Sequence, residues 1–102
     1  MLDNGRLEFG KTINIPEEFQ KYIIHEDNKY GGVMVRLEFP NGYGASIINH
    51  DFSYGLELAV IGTDGHLDYD TPITDDVLGH LDNESLHQAL IDIMNLEGEV
   101  NE

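Results

Sequence analysis

A chain of 102 residues fits one domain, residues 1–102, and its lack of cysteine excludes disulfides and thiolate metal sites. Twenty acids against five bases give a formal charge of -15. Residues 1–36 hold six of the acids and all five bases, whereas residues 37–102 hold fourteen acids and no Lys or Arg. Such a surface repels phosphate backbones and anionic membranes and attracts basic surfaces, which disfavours direct nucleic-acid or lipid-headgroup binding. Acidity that serves only solubility is the plainer alternative. No basic leader precedes an apolar stretch, and no apolar run approaches the ~20 residues that span a bilayer. The expectation is a cytoplasmic protein.

Taken in chain order, Leu7-Glu8-Phe9 and Ile13-Asn14-Ile15 alternate with one parity, which predicts an interrupted N-terminal strand. Pro16 suits the first position of a helix, and Glu17 and Glu18 suit its first turn, so a short helix is expected near residues 16–26. Residues 28–32 read as a loop. Val33, Val35, Leu37 and Phe39 then alternate with Met34, Arg36 and Glu38, a half-buried strand. Pro40-Asn41-Gly42 is turn chemistry, residues 43–48 and 56–61 are the next strands, and Thr63-Asp64-Gly65 reverses into a fourth strand at 66–69.

Thr74, followed by Asp75 and Asp76, predicts a short capped helix through Leu81. Asp82 caps the last helix, with Leu81 and Leu86 spaced as a hydrophobic staple. Leu86, Ala89, Leu90, Ile93 and Met94 form its apolar stripe, Glu84, His87, Gln88, Asp92 and Asn95 face outward, and Gly98 ends it. The fold class is α+β: an antiparallel β-meander of about four strands, plus the N-terminal strand, packed against a C-terminal helix.

Chemistry-bearing residues are plentiful and unspecific. His66, Asp68 and Asp70 share strand parity, and Asp76 and His80 have the i, i+4 helical spacing, donors that suit zinc or another divalent ion. No HExxH, zinc-finger or calcium-loop spacing accompanies them. The glycines of Gly42-Tyr43-Gly44 run from strand to strand rather than into a helix, so they make a hairpin, not a phosphate loop. The serines lack a nucleophile-elbow context, and His50 beside Asp51 is adjacency without a triad. No catalytic residue, metal ligand or cofactor site is assigned.

Two stretches, Phe39-Pro40-Asn41-Gly42-Tyr43-Gly44-Ala45-Ser46 and Tyr69-Asp70-Thr71-Pro72-Ile73-Thr74-Asp75-Asp76-Val77-Leu78-Gly79, resemble segments of small acidic proteins encoded by bacteriophages and prophages. Those proteins are generally without an assigned function, and the resemblance implies no catalytic residues. It implies an accessory role acting on host machinery. Phage inhibitors of host defence, including several anti-CRISPR and anti-restriction proteins, present acidic surfaces that imitate a nucleic-acid backbone. On that reading the carboxylates of residues 37–102 occupy Lys and Arg sites that otherwise hold phosphates.

The expected partner is the basic surface of a host protein or protein–nucleic-acid complex. The expected contacts are Asp64, Asp68, Asp70, Asp75 and Asp76, the densest local acidic group, together with an exposed Tyr43. Two alternatives stand beside it: an adaptor binding through a patch of Tyr43, Tyr54 and Tyr69, and a metal-dependent enzyme using His66 or His80.

Overall fold

The computed structural model describes residues 12–51, 53, 55–74 and 76–96. A 3₁₀ helix, Glu17–Tyr22, leads into four strands: β1 (Ile23–Lys29), β2 (Gly32–Glu38), β3 (Gly44–Asn49) and β4 (Glu57–Ile61). The helix α1 (Asn83–Met94) closes the chain. The strands pair antiparallel in the order β1-β2-β3-β4, a meander. The α+β architecture expected from the sequence is therefore present, a four-stranded antiparallel sheet with a C-terminal helix on one face.

Register explains the core. Val35 pairs with Ile47 and Ile47 with Leu58, while Leu37 pairs with Ala45 and Ala45 with Val60. Alternation points both rows to one face, and all six residues are buried. Leu86, Ala89, Leu90 and Ile93 of α1 are buried against them, and the helix crosses closest to β3, where Ala45 leaves room. The opposite face carries Arg36, Ser46 and Ala59 in one register row. At the edge of the core Phe19 meets Phe39 and His87 edge-on, with ring centroids 5.9 and 5.8 Å apart. His87 Nε2 lies 3.0 Å from Glu18 Oε2, which ties the 3₁₀ helix to α1.

Both ends of α1 are satisfied. Asp82 accepts from the Ser85 N–H at 2.8 Å, and Ser85 Oγ accepts from the Asp82 N–H at 2.9 Å, a capping box. At the other end the Asn41 side-chain amide donates to the carbonyls of Ile93, Met94 and Leu96 at 2.9, 3.1 and 3.0 Å. Its oxygen accepts from the Tyr43 N–H at 3.0 Å. The β2–β3 turn thus caps the helix that packs on its own sheet.

Several expectations need correction. The helix near 16–26 is a six-residue 3₁₀ helix, and the chain extends from Ile23 onward, where β-branched Ile23 pairs with Leu37 of β2. The loop at 28–32 shrinks to Tyr30-Gly31, both left-handed (φ 53° and 78°), which is what a two-residue hairpin demands. The fourth strand at 66–69 reduces to a single bridge, Leu67 to Ile61. The helix at 74–81 is absent among the described residues, and Leu78 instead bridges Leu58 of β4. Thr74 still acts as a cap-like acceptor, but for a turn, taking the Asp76 N–H at 3.1 Å.

Residues 13–15 form no strand, although Ile13 and Ile15 pack on the core. Residues 7–9 and Gly98 lie outside the described residues, and α1 ends at Met94. Among the described residues no helix is long and apolar enough to cross a membrane.

Candidate functional site

The acidic residues singled out from the sequence sit on an excursion along the outer edge of β4. Gly65 (φ 86°) turns the chain, with its N–H donating to the Gly62 carbonyl at 2.9 Å. The Gly62 N–H donates to His66 O at 2.8 Å, and the Asp68 N–H to Val60 O at 2.9 Å. The chain leaves the sheet after Asp68 and returns at Leu78, which exchanges N–H···O bonds of 2.8 and 2.9 Å with Leu58. Leu81 N–H then donates to Leu56 O at 2.9 Å. Since Val60 and Leu58 are two strand positions apart, roughly 7 Å, Asp68 and Leu78 rest at nearly the same place on β4, the two feet of a loop. Ile73 packs on the core and holds the middle of the loop.

Three of the expected contacts come together there. Asp64, Asp68 and Asp70, with Thr63, Leu67 and Tyr69, line a shallow hollow of about 570 Å³. A Cβ placed on Gly62 would sit 3.0 Å from Asp68 Oδ2 and 3.4 Å from Asp64 Oδ1, so both carboxylates converge over that glycine. Each acid also organises its own turn: Asp64 Oδ1 accepts the His66 N–H at 3.0 Å, and Asp68 Oδ1 the Asp70 N–H at 2.9 Å. The His66 ring lies 3.8 Å from the Asp64 carboxylate, both well exposed.

The remaining expected contacts are elsewhere. Asp76 is exposed but does not line the hollow, and Asp75 and Tyr54 lie outside the described residues. Tyr43 is half-buried against the core, because the turn that caps α1 draws it inward, so it is not the exposed contact that was expected. Tyr69 is 45% exposed.

Asp76 and His80 share no helical turn, since this segment is not helical and His80 is left-handed (φ 53°). Among the described residues no group of three or more His, Asp or Glu is placed to hold a metal ion. One contributor escaped the sequence reading: Leu67 is 46% exposed within the acidic stretch. Its signal is that it is the single apolar residue between His66 and Asp68.

Compared with protein-family models, curated proteins and solved structures, the chain matches none.

Proposed function

We propose that this protein is a phage-type accessory binding module that inhibits a host nucleic-acid-binding complex, seating its acidic excursion on Lys and Arg side chains that otherwise hold phosphates. The observation that supports this reading most is the convergence of Asp64, Asp68 and Asp70 on one hollow, carried by a loop pinned to β4 at both ends. A pinned loop presents charge without the ordering cost that a free segment meets on binding. The likeness of residues 39–46 and 69–79 to phage-encoded proteins supports the setting, and the absence of Lys and Arg after residue 36 supports a basic partner in the host cytoplasm.

The test is affinity capture from nuclease-treated host lysate across a salt series, with wild type and the triple variant Asp64→Asn/Asp68→Asn/Asp70→Asn. The captured protein should be lost as salt rises, be displaced by DNA or RNA, and fail to bind the variant. A partner held unchanged in high salt together with its nucleic acid would sink the proposal.

A second reading has its own observation. Leu67 and Tyr69 are exposed between the acids, which suits an adaptor contact with an apolar centre. In that case Leu67→Ala/Tyr69→Ala weakens capture more than neutralising the three aspartates does.

A further inference from the structure

We infer that Arg36 is the positioning residue of the acidic excursion, clamping the turn at residues 63–65 from the open face of the sheet and so fixing where Asp64 and Asp68 present their carboxylates. Arg36 projects from β2 on the face opposite α1, and its register neighbours on β3 and β4, Ser46 and Ala59, are small. The guanidinium therefore crosses two strands and donates to the Gly65 carbonyl, 29 residues along the chain, at 2.9 Å. Gly42, Gly44, Gly62 and Gly65 line the same cleft of about 240 Å³. Gly65 must also be glycine for its positive φ.

Asp64 and Glu38 border that cleft too, yet Arg36 forms no ion pair with a described carboxylate; its described partner is the turn's main chain. A cation beneath the turn also offsets the mutual repulsion of the converging acids above it. Arginine suits this role better than lysine because its planar fork is directional and stays charged.

Charge and position make opposite predictions. Replacing Arg36 by Gln makes the chain one unit more negative, so charge alone would tighten binding to a basic probe. Loss of the clamp would weaken it.

Amide exchange reads the clamp without any partner. In Arg36→Gln the hydrogen-bonded amides of Gly62, Gly65 and Asp68 should exchange about tenfold faster, while those of Leu86 to Leu90 stay at wild-type rates. A merely structural role would move both sets together. Affinity for a short oligolysine peptide should fall several-fold despite the added negative charge, a part of the inference that rests on the function proposed above.

Should Arg36→Gln fail to fold, Arg36→Lys keeps the charge and carries the same comparison. Unchanged exchange at the three amides, or oligolysine binding that strengthens, would overturn the inference. If Asp64→Asn/Asp68→Asn leaves oligolysine binding intact while the exchange change persists, the acidic-patch reading fails and the clamp stands.

Discussion

Asn41 uses both ends of one amide, donating to three carbonyls at the C-terminus of α1 and accepting from Tyr43. These groups are partly buried, so removing the amide takes a donor from the Met94 and Leu96 carbonyls with little water to replace it, whereas the Ile93 carbonyl keeps the Leu96 N–H at 3.1 Å. Asn41→Ala should cost about 2 kcal/mol in urea unfolding. Asn41→Asp should cost more, because it keeps the acceptor but sets a carboxylate against the negative end of the helix.

Asp82 works at the opposite end. The Ser85 backbone N–H, then the Ser85 hydroxyl, hold its carboxyl below the ordinary value of 3.8. A depressed folded value means the cap's contribution is complete above 3.8 and fades as pH falls through the lower folded value. Asp82→Asn cannot titrate. Wild type should therefore lose stability relative to that variant only in strong acid, which paired denaturation curves near neutrality and in strong acid will show.

The excursion along β4 closes a sheet edge as well as displaying acids. Leu78 supplies a donor and an acceptor to Leu58, and an edge left bare is a template for pairing with other chains. Leu78→Pro removes the donor and should both free residues 69–77 and promote association. Faster proteolysis in that loop and a larger hydrodynamic size at raised concentration would show it; a monomer with an intact loop would count against it.

The elements differ in how plainly they show in the sequence. Strands β2, β3 and β4 are legible because one face is buried and the apolar residues alternate. Strand β1 hides, since Ile23 and Ile24 are adjacent around a register shift and polar residues follow. The residues Thr74 and Asp76 carry helix-start chemistry but serve a turn, because pairing of Leu78 with Leu58 outweighs local preference. Asp64 and Asp68 meet because a short turn joins them, whereas nothing local marks the bond from Arg36 to Gly65.

At the scale of the molecule, twenty acids against five bases leave a net charge of -15, and the excess carboxylates repel one another within a small volume. Added salt screens that repulsion, with a range of about 8 Å at physiological strength, so thermal stability should rise with salt. The same screening should weaken capture of a basic partner. Calorimetry and binding measured over one salt series should therefore slope in opposite directions, and parallel slopes would show that the charge does not govern association.

The cap that Asn41 provides also bears on the order of folding. Three consecutive hairpins need only short loops closed, whereas Asn41 reaches carbonyls at and just beyond the end of α1, 52 to 55 residues away. The meander should then be formed in the rate-limiting barrier, with the helix end docking afterwards. Asn41→Ala would speed unfolding and leave the refolding rate nearly unchanged, so the turn that joins β2 to β3 acts as the latch closed last.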